Sequence, residues 1–308
     1  MIRSSCLAGS FLVVLGASSM VLSAPVPVED AKAIVKAYFS RIEKGGVGDT
    51  DPLFAPPAKD VITELGAYLG SESDTQQRRA VSLIAVIGSR SGDKEVRALA
   101  VKSLLDYAAG EGNGKRSERR PALEGLLKFS KADYPKEAGT EIEKLVRVDD
   151  PLPEALLLAG VVEVASVKDD LKKLAEVPKG ENPFLNPWWS ANLALARLGD
   201  AESVKHCVQV IEAEKDVSQQ VRHFPDLTFI RHETALKVLT KHLMSEERMS
   251  SVREGTPGTK VALRALDLLT VSVEGFPIKR GRGPTYTEDQ LAEARKWVKD
   301  QKELKLKR

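Results

Sequence analysis

Apolar residues recur along this chain at the spacing of about 3.6 residues that defines one face of an α-helix. The clearest run begins at Glu29 and ends at Lys44, and Gly45 follows it as a stop signal. Period-2 alternation, the signal of a half-buried strand, does not occur in the sequence. Helices are predicted at residues 29–44, 59–69, 76–87, 94–108, 119–129, 135–146, 153–164, 168–176, 188–198, 201–214, 230–244, 259–269 and 288–302. The sequence therefore predicts an all-α fold.

A small residue recurs on six of the predicted helices, followed by small or apolar residues three and seven positions later. The first residues of the six sets are Ala80, Ala122, Ala155, Ala191, Ala235 and Ala262. Successive alanines lie 27 to 44 residues apart, which is about the length of one helix pair in a helical repeat. In the fifth set His242 stands where an aliphatic residue is expected. One helix pair has too small an apolar face to be stable alone, so stacking of neighbouring pairs is expected.

Three segments resemble a known repeat. Trp189–Asp200, together with the helix that follows from Glu202, resembles the body of a HEAT repeat. Arg78–Gly88 resembles the same helix, and Val96–Val101 resembles the valine–arginine–alanine opening that these repeats often carry. The resemblance covers about residues 59–270.

The resemblance implies a right-handed α-solenoid of irregular HEAT-like helix pairs, an armadillo-like fold with a concave binding face. It would occupy residues 25–308 as one domain, with capping helices at both ends. The last predicted helix begins with Thr287 and Gln290 at the spacing of a capping box. The segment 281–297 is also similar to the tail of exported bacterial HEAT-repeat proteins.

Residues 1–24 have the pattern of a secretory signal peptide, since Arg3 precedes an apolar run, Cys6–Ala17, and small residues follow that run. Cleavage is expected between Ser23 and Pro25, which predicts a secreted or periplasmic protein. The alternative is an uncleaved anchor, because the apolar stretch approaches the ~20 residues that a membrane span needs. Small and polar residues interrupt that stretch, which makes it a poor membrane span. No other segment reaches transmembrane length, so no stable membrane insertion is expected once the signal is removed.

Composition narrows the classes of protein. An apolar content of 42% is too high for a disordered chain, and a net charge of +2 is far from the strongly basic balance of a nucleic-acid-binding domain. Cleavage of the signal would leave Cys207 as the one cysteine, so no intramolecular disulfide is expected.

No motif for a catalytic, cofactor or metal site stands out in the sequence. His232 is followed by Leu236 where a zinc-protease helix needs a second histidine, and Cys207 lies among apolar residues as a core thiol would. Gly110–Arg116 lacks the hydroxyl residue and the preceding strand of a phosphate loop. The basic residues at the end of this loop and the basic cluster Lys279–Arg282 are interpreted as solvent-exposed surface charges. The alternative is that they bind an anion.

A candidate binding surface is predicted around two adjacent tryptophans and an insertion without strong helical pattern, residues 215–229. Its residues are Trp188, Trp189, His223, Phe224 and Phe229. Adjacent residues on a helix point in different directions, so one tryptophan is a candidate for exposure, and exposed aromatic residues are frequent interface anchors. The alternative is that both tryptophans pack beneath the connection at 178–187.

The sequence therefore predicts an exported protein–protein interaction or scaffold module whose protein partner is unidentified. Nucleic acid is not an expected partner, and no cofactor is expected. The alternative is an enzyme, or a protein that binds a small ligand or glycan on the concave face of the solenoid.

Overall fold

The computed structural model describes residues 30–46, 49–110, 116–178, 180–250, 258–281 and 286–307, with the backbone alone for 116–118. The predicted signal peptide (1–24), most of the glycine-rich loop (111–115) and Arg282 lie outside the described residues. Within them the chain is helical and has only isolated β-bridges, so the all-α prediction is confirmed.

The described residues form fifteen α-helices: α1 (Ala31–Glu43), α2 (Ala58–Gly66), α3 (Asp74–Arg90), α4 (Lys94–Ala109), α5 (Arg116–Leu126), α6 (Ala138–Val146), α7 (Pro153–Val162), α8 (Lys168–Leu174), α9 (Trp188–Arg197), α10 (Ala201–Ala213), α11 (Val217–Arg222), α12 (Phe224–Ile230), α13 (Glu233–Leu243), α14 (Val261–Ser272) and α15 (Glu288–Asp300). Short 3₁₀ helices occur at Asp51–Phe54, Ala67–Gly70, Lys131–Asp133 and Ala165–Val167. None of the described helices combines the length and the apolarity that crossing a bilayer requires.

Side-chain caps fix where many of these helices begin. The Asp200 carboxylate accepts a hydrogen bond from the backbone N–H of Ser203 at 2.9 Å, which satisfies one of the donors left over at the start of α10. The predicted capping box of α15 is confirmed. The Thr287 hydroxyl accepts from the Gln290 N–H, and the Gln290 side chain accepts from the Thr287 N–H at 2.9 Å.

The predicted insertion at 215–229 is wrong as an irregular segment, because it folds into α11 and α12. Asp216 caps α11 by accepting from two backbone N–H groups, and Pro225 occupies the first turn of α12, where its missing N–H costs nothing. Val221, Leu227 and Ile230 turn inward from these helices and are buried. With six and seven residues, α11 and α12 have too few turns for an apolar period to show in the sequence.

Helices contact mainly those that lie one to three places away along the chain. α3 packs against α2, α4 and α5; α9 packs against α7, α8, α10 and α12; α13 packs against α10, α12 and α14. Two apolar cores result, and they meet at α9. Leu195 of α9 belongs to the core shared with α7, whereas Trp189 and Leu193 belong to the core shared with α12 and α13.

The recurring small residues lie in the two apolar cores, where a small side chain allows helices to pack closely. All six alanines of the sequence pattern are 0–1% exposed. A similar role falls to Gly160 of α7, since a Cβ there would lie 3.1 Å from the Cα of Ala194 on α9. Such a distance requires the neighbouring helix to move, so a glycine at 160 sets the separation of α7 and α9.

Candidate functional site

The five predicted surface residues separate into a buried pair and a partly exposed set. Trp189 is 5% exposed and Phe224 is 0% exposed, so both are core residues. Trp188, His223 and Phe229 are half-buried. The two tryptophans thus diverge, with Trp189 in the core and Trp188 at its edge.

A cluster of rings surrounds Trp189 at the N-terminal ends of α9 and α12. The Phe184 ring stacks on the His223 imidazole with centroids 3.8 Å apart. The Trp189 indole meets both rings edge-on, with centroid distances of 4.8 Å to Phe184 and 5.7 Å to His223. The edge-on contacts of Trp189 are favourable for aromatic quadrupoles. Through these ring contacts, the connection before α9, which carries Phe184, packs against His223 at the junction of α11 and α12.

One carboxylate organises the polar edge of this cluster. Oδ2 of Asp226 accepts a 2.9 Å hydrogen bond from Nε1 of Trp189 and lies 2.9 Å from Nδ1 of His223. The contact with Trp189 spans α9 and α12, so the ring orientations on both helices are fixed together. Because the buried indole N–H has a partner, Trp189 incurs no penalty for an unsatisfied donor.

The outer edge of the cluster is an apolar surface. Leu185 is 48% exposed, and its carbonyl accepts from the backbone N–H of Trp189 at 3.0 Å, which holds it beside the rings. We call the surface made by Phe184, Leu185, Trp188 and His223 the aromatic patch. A rigid ring cluster next to an exposed leucine has the composition of an interface anchor.

Sequence reasoning missed three of the residues that build this site: Phe184, Leu185 and Asp226. The first two stand between Pro183 and Pro187, and an apolar pair in a proline-rich connection was a readable signal of a packed loop. Asp226 had no such signal, because its partner on α9 lies 37 residues earlier.

Phe229 does not belong to the aromatic patch. It lies at the C-terminal end of α12, where the Arg197 guanidinium sits 4.9 Å from its ring centroid. Nη1 of Arg197 also donates to the Phe229 carbonyl over 2.7 Å. The structure thus places the predicted aromatic residues at two ends of one helix contact.

Compared with protein-family models, with curated protein sequences and with solved structures, the chain has no match. Any functional assignment therefore rests on the residues themselves.

Two side chains that the sequence offered as candidates for chemistry, Cys207 and His232, have structural surroundings. Cys207 is fully buried, and burial raises the pKa of its thiol, with the Asp226 carboxylate raising it further. A thiol held protonated in this way is a poor nucleophile. His232 caps α13, where its Nδ1 accepts from the N–H of Thr234. No cluster of three or more His, Cys, Asp or Glu side chains in the described part of the chain has the geometry to hold a metal ion.

Four pockets of about 230 to 390 Å³ lie elsewhere in the described residues. The 390 Å³ pocket lies between α1 and the 3₁₀ helix Asp51–Phe54, with Tyr38, Arg41 and Asp49 among its lining residues. None of these four pockets is lined by a residue of the aromatic patch. The patch offers a surface for contact, whereas the pocket beside α1 offers a volume for a small molecule.

Proposed function

We propose that this chain is an exported α-solenoid of HEAT-like helix pairs that binds a partner protein through the aromatic patch. The observation that carries the binding proposal is the patch itself, in which exposed Leu185 and half-buried Trp188 are chain neighbours of Phe184 and Trp189, whose rings belong to the cluster that Asp226 holds in place. Binding of a partner to such a surface buries apolar area without first having to order the side chains, which favours affinity.

The solenoid proposal rests on the spacing of polar contacts. Side-chain hydrogen bonds recur between residues 32 to 37 positions apart, which is close to the spacing of the recurring alanines. They join Lys59 to Glu95, Arg97 to Asp133, Arg120 to Glu154, Lys131 to Glu163, Trp189 to Asp226 and Arg197 to Phe229. Bonds that repeat at one interval are expected where each helix pair contacts the next.

A scattering measurement tests this architecture in solution. A compact domain of the mature length would have a radius of gyration of about 19 Å. A stacked array of helix pairs is longer than it is wide, so small-angle X-ray scattering of the mature protein should give a clearly larger value and an asymmetric distance distribution. A value near that of a compact domain would contradict the solenoid.

The proposal of export rests on the first 24 residues of the sequence. N-terminal sequencing of the protein from the periplasm or the medium should give a start near Ala24 or Pro25. An intact Met1 on protein found in the cytoplasm would contradict it.

Partner capture with matched variants tests the aromatic patch. Trp188→Ala and Leu185→Ser each remove a patch side chain without opening the core. The control is Val271→Ser on α14, since Val271 is similarly exposed, at 41% against 48% for Leu185. With the mature chain as bait for an envelope fraction, both patch variants should lose about tenfold or more of the captured partner, as expected for an interface anchor.

The melting temperature of each variant is measured alongside capture. Patch variants that melt within about 3 °C of the wild type, as surface changes do in a protein of this size, retain the fold. Equal capture by folded patch variants and by the Val271→Ser control would show that the patch is not the interface.

The alternative function, binding of a small ligand, has its best location in the 390 Å³ pocket beside α1. Arg41 and Asp49 supply opposite charges there and Tyr38 supplies a ring, which suits a small polar molecule. Arg41→Ala would then abolish ligand-induced thermal stabilisation in a metabolite screen and leave partner capture unchanged.

A further inference from the structure

Arg197, in the last turn of α9, is a half-buried cation. Its hydrogen bond to the Phe229 carbonyl satisfies one of the leftover acceptors at the C-terminal end of α12, so that bond has a structural role. A guanidinium has five N–H donors, and the described residues give Arg197 no other hydrogen bond. Most of its hydrogen-bonding capacity is therefore unused.

Arg197 also differs from other partly buried arginines in its ion pairing. Two other partly buried arginines each have a carboxylate partner: Arg97 lies 2.7 Å from Asp133, and Arg295 lies 2.5 Å from Glu246. In the described part of the chain Arg197 forms no such ion pair. Removing a cation from water without a paired anion is unfavourable, and the Phe229 ring 4.9 Å from the guanidinium offsets only part of that cost.

The acid that acts on Arg197 electrostatically is Glu163, at the end of α7. Lys131 already forms an ion pair with that carboxylate. Together with Arg231, Arg197 and Lys131 make three positive charges near the single negative charge of Glu163. No described carboxylate remains at this edge to neutralise Arg197.

A second arginine, Arg231, stands at the same end of α12 that Arg197 contacts. Arg231 follows Phe229 by two residues and ends α12 in the left-handed conformation, with φ at 53°. Its side chain is exposed, and Nη2 donates to the Lys307 carbonyl over 3.1 Å. Burial and then the charge of Arg231 lower the pKa of Arg197 to about 10. Two like charges at one helix end raise each other's free energy, and an anion bound between them would lower it.

We propose that Arg197 and Arg231 together bind a phosphate group. Guanidinium groups present N–H donors in a planar fork that matches phosphate oxygens, and a doubly charged phosphate balances two arginines where one carboxylate would not. The C-terminal dipoles of α9 and α12 oppose an anion here, so both cations are needed to hold it. The site is at the opposite end of α9 from the aromatic patch and does not depend on the proposed function.

Titration calorimetry with inorganic phosphate tests the site on the full mature chain at constant ionic strength. The first variant is Arg197→Met, and the second is Arg231→Gly, which folds without strain because glycine adopts a positive φ readily. Arg222→Gln is the control, since Arg222 is an exposed arginine at the end of α11. We expect one saturable site whose affinity falls about tenfold or more in either variant and is unchanged in the control.

Vesicles provide the second probe, because a phosphate group also occurs on lipids. Phosphatidylcholine vesicles with and without phosphatidic acid are compared by sedimentation. Saturable binding of inorganic phosphate assigns the site to a free phosphate, and binding to phosphatidic acid vesicles alone assigns it to a lipid phosphomonoester. The proposal is overturned if neither probe binds saturably, or if folded Arg231→Gly binds as tightly as the wild type.

Discussion

At the N-terminal end of the contact between α9 and α12, rings pack on rings around a carboxylate that has two partners. At the C-terminal end of the same contact, a guanidinium covers one ring and has no carboxylate partner in the described residues. At the first end the polar groups of Trp189 and His223 both have Asp226 as a partner. At the second end the positive charge of Arg197 has no carboxylate partner among the described residues. Stability is therefore expected to depend mostly on the N-terminal end, and the C-terminal end has capacity left for a ligand.

The largest contrast is expected between two phenylalanines of α12. Phe224 is fully buried, so Phe224→Ala should lower the free energy of unfolding by about 3–5 kcal/mol. Phe229 is half-buried beneath Arg197, so Phe229→Ala should cost about 1–2 kcal/mol from partial burial and a lost cation–π contact. Urea denaturation of both variants measures the difference. Equal losses would show that the two ends contribute alike.

A smaller effect is expected from removing one donor at the N-terminal end. Trp189→Phe keeps a ring in the core and takes away the indole N–H that Asp226 accepts, so it should cost about 1–3 kcal/mol. Trp188→Phe is the matched control, since the half-buried Trp188 indole has no ring contact and no side-chain hydrogen bond with any described residue, and a change below about 0.5 kcal/mol is expected there. Urea denaturation midpoints of the two variants measure this difference. A control as costly as Trp189→Phe would remove the role assigned to the Asp226 bond.

The sequence predicted the helices of this region better than it predicted the site. Apolar periodicity located α9 and α10 to within about a residue at each end, because burial on one face governs both the pattern and the helix. Which of the two tryptophans turns inward depends on the position of α12, and the sequence around α9 does not encode that position. The Trp189–Asp226 bond depends on the same tertiary arrangement. Two short helices, α11 and α12, escaped because six or seven residues hold too few turns for a period to show.

Lowering the pH should destabilise the N-terminal end of the contact between α9 and α12 in particular. His242 of α13 is buried with its Nε2 unpartnered, and its ring lies 4.8 Å from that of Phe224. Burial, followed by the charge of Lys241, lowers the pKa of His242. A folded-state pKa below the unfolded value of about 6.5 means that this contribution is complete above that pH and is lost as pH falls through the folded pKa.

The size of that loss is about 1.4 kcal/mol for each unit by which the two pKa values differ. His242→Leu removes the titrating group and leaves an apolar side chain of similar size, so the variant should lose less stability between pH 8 and pH 5 than the wild type does. Subtracting the two pH profiles cancels the carboxylates that both proteins share. Parallel profiles would show that His242 does not carry the acid sensitivity.

The smallest expected effect concerns the backbone at Glu163, the residue at the end of α7 whose charge acts on Arg197. Glu163 ends α7 at a φ of 62°, a left-handed conformation in which a side chain costs about 1 kcal/mol relative to glycine. Glu163→Gly and Glu163→Ala both remove the exposed ion pair with Lys131, which is worth little. Their difference therefore isolates the backbone, and the glycine variant should be more stable than the alanine variant by about 1 kcal/mol. If the alanine variant were equally stable, α7 would end without strain in solution.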